Sequence, residues 1–152
     1  WPGPLTVIVP RRDGMAAAAA GGQDSIGLRC PAQPLAQALL RASAARGVAG
    51  VAAPSANRFG RVSPTTAAHV VQEFGPDMWV VDGGDCAVGI ESTIVDCSRD
   101  APVLLRPGML SVSQLSEACG VSVLSSVENS TVKTPAAPGS KVSLVSVGGD
   151  GV

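Results

Sequence analysis

Tyrosine is absent from the 152 residues, Trp and Phe occur twice each, and aromatic side chains make up 3% of the chain. A core must therefore be aliphatic. Charge is also scarce: Asp, Glu, Lys and Arg together make up 15%, with a formal net charge of −1. That balance argues against a whole-surface electrostatic grip on nucleic acid or acidic lipid, although local basic patches remain open. One His and four Cys, with no C-x-x-C pair, leave no zinc-ligand spacing, and reduced, mostly buried thiols are the simpler expectation. No apolar run approaches the roughly 20 residues of a membrane helix, since Met15 to Ala20 is alanine-rich and bounded by Gly14 and Gly21. Neither the Gly-x-x-x-x-Gly-Lys-Ser/Thr phosphate loop nor Gly-x-Gly-x-x-Gly occurs.

What is present is a chain 45% hydrophobic with 18 Gly and 12 Pro, which suits one compact domain. A domain of this size buries roughly 70% of its unfolded surface, enough for a core without disulfides or structural metal. Leu5 to Val9 and Ser25 to Arg29 have the composition of strands separated by a Gly/Ala-rich loop. Pro34 opens a helix with Leu35, Leu39 and Leu40 on one face, closed by Gly47. Val48 to Ala53 is the next buried strand, followed by a polar turn over Pro54 to Val62. Ser63 and Pro64 predict the cap and first turn of a helix ending near Phe74. Met78 to Val81, Ser92 to Val95 and Val103 to Leu105 predict three further strands, and Ser111 with Gln114 a capping box for a last helix ending at Gly120. Beyond about Ser125 the composition is that of a linker or frayed end. This order predicts an α/β domain with a twisted mixed sheet and flanking helices.

Three segments can carry chemistry. Ala52 to Thr66 leaves a strand, presents Ser55, Asn57, Arg58, Arg61 and Ser63, and enters a helix N-terminus. Backbone N–H groups, hydroxyls and guanidinium groups in that order suit phosphate or carboxylate, although a plain Ser/Asn turn has the same pattern. Asp82 to Asp96 combines glycines that permit close backbone approach with Glu91, Ser92 and Thr93 at a strand entrance. Leu104 to Gly108 delivers Arg106 to a strand end, as Arg29 is delivered before Cys30-Pro31. Two strand-end arginines beside Ser-rich turns are what a carboxylate-plus-phosphate substrate pair requires. His69 falls mid-helix as a surface or packing residue, and Asp82 and Asp96 are expected to cap turns rather than hold a metal.

The succession WPGPLT, GLRCP with Pro34, APSANRFGRVSPT, DGG with GIESTIVD, and LLRPG resembles the YrdC-like family, the threonylcarbamoyl-AMP synthases, along roughly residues 1 to 110. The resemblance implies condensation of L-threonine, bicarbonate and ATP into threonylcarbamoyl-adenylate with release of pyrophosphate. The product serves threonylcarbamoyladenosine formation in tRNA, with tRNA or a downstream transfer complex as partner and magnesium accompanying the ATP. It further implies that Arg29 and Ser92 meet L-threonine, and that Ala53 through its backbone, Ser55, Asn57, Ser63 and Arg106 meet ATP. No acid–base catalyst or metal ligand is assigned, and the setting implied is the cytoplasm or an organelle.

Trp1, rather than Met, opens the chain inside a Trp-Pro-Gly-Pro turn, and the expectation is a piece of a longer product. The family's Lys-x-Arg element and the Ser/Thr-rich segment after it have no counterpart here. The expected organisation is a partial domain over residues 1–122 and a linker or disordered tail over 123–152. Rival expectations are a double-stranded-RNA-binding module using Arg11, Arg12, Arg58 and Arg61, a hydrogenase-maturation carbamoyltransferase domain, and an inactive truncated product.

Overall fold

A computed structural model describes residues 1–86, 91–125 and 143–146, the last four by backbone pairing. The elements run β1 (Leu5–Pro10), β2 (Ser25–Arg29), α1 (Pro34–Ala44), β3 (Gly50–Ala53), α2 (Ala67–Phe74), β4 (Thr93–Asp96), β5 (Val103–Arg106), α3 (Val112–Cys119), β6 (Leu124–Ser125) and β7 (Ser143–Ser146). The strands form one sheet in the order β3-β7-β2-β1-β4-β5-β6. It is mixed as expected: β1 runs antiparallel to β2 and parallel to β4, and β4 runs antiparallel to β5.

Alternation along β1 divides the two faces of the sheet. Val7 lies in register with Val95, which pairs Leu104, and these belong to the aliphatic side. There Val95, Leu104, Leu115 and Val123 form the buried cluster, with Leu5, Cys97 and Leu110 packed against it. α3 delivers Leu115 because Ser111 starts the helix firmly: its hydroxyl accepts from Gln114 N while the Gln114 side chain accepts from Ser111 N. Gly120 then ends α3 at φ +68°, a left-handed conformation that glycine adopts without strain.

Five expectations need correction. Val48 to Ala53 is not a buried strand throughout: β3 begins at Gly50, and Val48, Ala52 and Ala53 are exposed. Met78 to Val81 is not a strand: Pro76 and Asp77 lead into an exposed segment, and Trp79 is 97% exposed. A continuous apolar run carries no alternation to assign a face, and a strand also needs a neighbour to bond with. α2 begins at Ala67 with Thr66 as cap, not at Ser63-Pro64, because the Thr65 carbonyl accepts from Cys86 N at 2.8 Å and holds that residue outside the helix. The cysteines are free as expected, but Cys86 and Cys119 are exposed and Cys30 and Cys97 only partly buried. Finally, the expected tail over 123–152 is not all loose: Val123 belongs to the buried cluster, β6 (Leu124–Ser125) pairs β5, and Ser143–Ser146, as β7, pairs β2 on one side and β3 on the other. The edges of β2 and β3 on either side supply the pairing that the composition of Ser-Leu-Val-Ser alone does not reveal. Residues 126–142 and 147–152 of the expected tail lie outside the described residues.

Candidate active site

On the face opposite the aliphatic cluster, one register row crosses four strands: Arg29 opposite Thr6, Thr6 opposite Ile94, and Ile94 opposite Arg106. Arg106 reaches this face because of a bulge. Val95 pairs Leu104, whereas Ile94 pairs Arg106, so Leu105 is an extra residue in β5. In a regular strand Leu104 and Arg106 would share a face. The inserted residue lets Leu104 enter the core while Arg106 turns the other way.

The Arg106 guanidinium is held on three sides. Its Nε donates to the Ser92 carbonyl at 2.9 Å, its Nη2 donates to Ser92 Oγ at 3.0 Å, and its Nη1 pairs with the exposed Glu91 carboxylate. Ser92 Oγ also lies 2.9 Å from Thr6 Oγ1, with both residues 6% exposed. The Arg29 side chain is half-buried and has no hydrogen-bond or ion-pair partner among the described residues. Burial first, and then the like charge of Arg106, lowers its pKa from the ordinary guanidinium value. Arg106 has the Glu91 carboxylate beside it, so among the described residues Arg29 is the cation of this partly dehydrated face without a counter-ion, which favours an anion beside it.

The turn after Arg106 admits no side chain at Gly108. A Cβ there would stand 2.6 Å from Thr93 Oγ1, 2.7 Å from Thr93 N and 2.9 Å from the Glu91 carbonyl. The Leu110 N–H meanwhile donates to Thr93 Oγ1 at 3.2 Å, fixing the turn to β4. Thus the LLRPG and EST segments, distant in sequence, form one packed unit.

The Ser/Asn loop is organised separately. Ser63 Oγ donates to Asn57 Oδ1 at 3.3 Å, and Asn57 Nδ2 donates to the carbonyls of Arg58 and Arg61, both at 3.0 Å. Glu73 of α2 holds the loop from below, accepting from Arg58 N at 3.1 Å and pairing with the Arg61 guanidinium at 3.4 Å. Ala53 ends β3 two residues beyond Val51, which lies through Val145 in the same register row as Arg29. Ser55 and Ser63 are exposed, and Phe59 at the loop tip is fully exposed. Among the described residues no bond joins this loop directly to Arg29 or Arg106, so the structure unites Arg29, Ser92 and Arg106 and leaves Ser55, Asn57 and Ser63 as a second cluster.

The remaining singled-out residues serve structure. Asp82 Oδ1 accepts from Gly84 N and Asp96 Oδ1 from Ser98 N, both at 2.9 Å, so each caps a turn. Asp96 Oδ2 also accepts from Arg99 at 2.9 Å. His69 is exposed on α2, with Thr65 Oγ1 3.4 Å from its ring. Among the described residues no three His, Cys, Asp or Glu side chains gather as metal ligands. No described helix is long and apolar enough to cross a membrane. Sequence reasoning missed Thr6 and Gln33. Gln33 caps α1 through Ala36 N at 2.6 Å and donates to the Gly83 carbonyl at 3.1 Å, and a Cβ at Gly83 would collide with it. The available signal for Thr6 was a polar side chain inside an otherwise aliphatic strand.

Comparison with known proteins bears on the family and the fold. The family model Sua5_yciO_yrdC, described as "Telomere recombination", matches residues 1–108. Threonylcarbamoyl-AMP synthase of Pyrococcus abyssi is 38% identical over 143 residues, covering 93% of this chain and 41% of that protein. The Bacillus subtilis protein of the same name is 38% identical over 143 residues, covering 93% and 40%. The Schizosaccharomyces pombe one is 39% identical over 125 residues, covering 79% and 30%. The chain therefore spans well under half the length of these relatives. The crystal structure of P. abyssi Sua5 complexed with L-threonine superimposes with a TM-score of 0.75 at 37% identity, covering 91% of this chain and 40% of that one. The motifs, the mixed sheet and these matches together place the chain in the Sua5/YciO/YrdC family.

Proposed function

We propose that this chain carries a substrate-binding part of a threonylcarbamoyl-AMP synthase, an adenylate-forming nucleotidyltransferase acting on L-threonine, bicarbonate and ATP. The observation that carries this reading is the pair of neighbouring cations, Arg29 and Arg106, on one sheet face beside the buried Ser92 hydroxyl. Such a face suits two anionic reactants. The name of the P. abyssi relative, and the L-threonine in its crystal structure, support the choice of substrate.

In this mechanism the threonine amine and bicarbonate form a carbamate with loss of water. A carbamate oxygen then attacks the α-phosphorus of ATP, the bond to the β-phosphate breaks, and pyrophosphate leaves. Attack of one anion on another needs positioned positive charge more than a general base. Arg29 holds the threonine carboxylate with Ser92 alongside, and Arg106 faces the phosphates. The Ala53 backbone, Ser55, Asn57 and Ser63 form the nucleotide side. Magnesium accompanying ATP would offset phosphate charge, and no chain residue is assigned to hold it. The product feeds threonylcarbamoyladenosine formation in tRNA.

Pyrophosphate release from ATP tests the reaction. The expected result is release that requires L-threonine and bicarbonate together. Release without threonine would point to a different nucleotidyl transfer, and no release under any combination would contradict catalysis by this chain.

A further inference from the structure

We propose that Thr6 is a positioning residue that sets the direction of the Ser92 hydroxyl proton, making Ser92 a donor toward bound L-threonine. The inference deepens the synthase reading and rests on it. A serine hydroxyl has one proton to donate and two lone pairs to accept with. Arg106 Nη2 can only donate, so its 3.0 Å contact occupies one Ser92 lone pair. Thr6 Oγ1 at 2.9 Å takes either the second lone pair or the proton. If Thr6 takes the proton, Ser92 has none left for a substrate.

With an anion beside Arg29, the arrangement that satisfies every group has Thr6 donating to Ser92 and Ser92 donating to a substrate oxygen. Both hydroxyls are buried, so water does not readily substitute for either partner. The same geometry makes Ser92 a poor acceptor for the substrate ammonium and directs it to a carboxylate or carbamate oxygen. The Thr6 methyl stands over Gly27, where a built Cβ would lie 3.4 Å from Thr6 Cγ2, an ordinary contact distance. Valine keeps that methyl and removes only the hydroxyl's bonding, whereas serine keeps the hydroxyl and removes the methyl.

The test is calorimetric titration of the 152-residue chain and its Thr6→Val and Thr6→Ser variants with L-threonine and, separately, with ATP, each variant first checked by thermal melting. Thr6→Val is expected to weaken L-threonine binding roughly tenfold, about one well-placed hydrogen bond, with ATP binding unchanged. Thr6→Ser is expected to stay within about twofold of the parent, and Thr6→Val added to Ser92→Ala to cause no further loss. Unchanged L-threonine affinity in Thr6→Val, or equal loss for threonine and ATP, overturns the positioning role while leaving the synthase reading intact. Absence of L-threonine binding by the parent chain overturns the substrate reading and this proposal with it. Thr6→Ala provides the same comparison if the valine variant does not fold.

Discussion

Arg106 is placed by three acceptors within Glu91 and Ser92, and a lysine cannot satisfy all three from one ammonium position. Arg106→Ala is therefore expected to lower pyrophosphate turnover about a hundredfold, near 3 kcal/mol of barrier, with the circular dichroism spectrum unchanged. Arg106→Lys should recover only part of that activity, because it restores charge without the planar fork. A purely structural arginine would instead lower Tm while the folded fraction turned over normally. Arg29 and Arg106 were legible as arginines ending strands before Cys30-Pro31 and Pro107, and Ser92 as a hydroxyl at a strand entrance, while the substrate role of each came from the family resemblance. Thr6 was not, because a threonine between Leu5 and Val7 satisfies strand propensity without declaring a partner 86 residues away. Nor was the bulge at Leu105: period-two alternation puts Leu104 and Arg106 on one face, and only the cross-strand register separates them.

At the level of elements, local chemistry decided which boundaries could be read. α1 carries proline at its start, and α3 has a complete capping box, so both helices announce themselves within four residues. Ser111→Ala is expected to cost about 1 kcal/mol and lower Tm by roughly 2–4 °C, measured by thermal unfolding. Ser111→Thr should retain most of the stability. The start of α2 was ambiguous because Ser63, Thr65 and Thr66 are all competent caps, and the choice among them depends on the distant Cys86 N–H bonding Thr65. Met78 to Val81 had strand composition but no place in the sheet. Its last two residues, Val80 and Val81, instead border a cleft of about 150 Å³ together with Pro64, Ala67 and Val70.

Across the whole molecule, the sheet connects the two halves of the candidate site. β3, which leads into the Ser55–Ser63 loop, joins the Arg29 strand through β7. A chain ended after Ser125 would leave β3 without its ladder partner. Hydrogen exchange at Gly50–Ala53 is expected to accelerate strongly in that shortened chain, with little change in β1 and β4; unchanged protection of β3 would contradict the pairing. This long-range dependence was illegible because Ser143–Ser146 lies in a Ser, Gly and Val-rich stretch whose strand character arises from two neighbouring edges. The central claim is that the face bearing Arg29, Thr6, Ser92 and Arg106 receives the substrate anions. A crystal structure of the chain with L-threonine and a non-hydrolysable ATP analogue tests it most directly. The expected result is the threonine carboxylate on the Arg29 guanidinium within hydrogen-bond reach of Ser92 Oγ, with phosphate oxygens facing Arg106. Threonine seated on the α3 side of the sheet, or in the cleft between Pro64 and Val81, would contradict it.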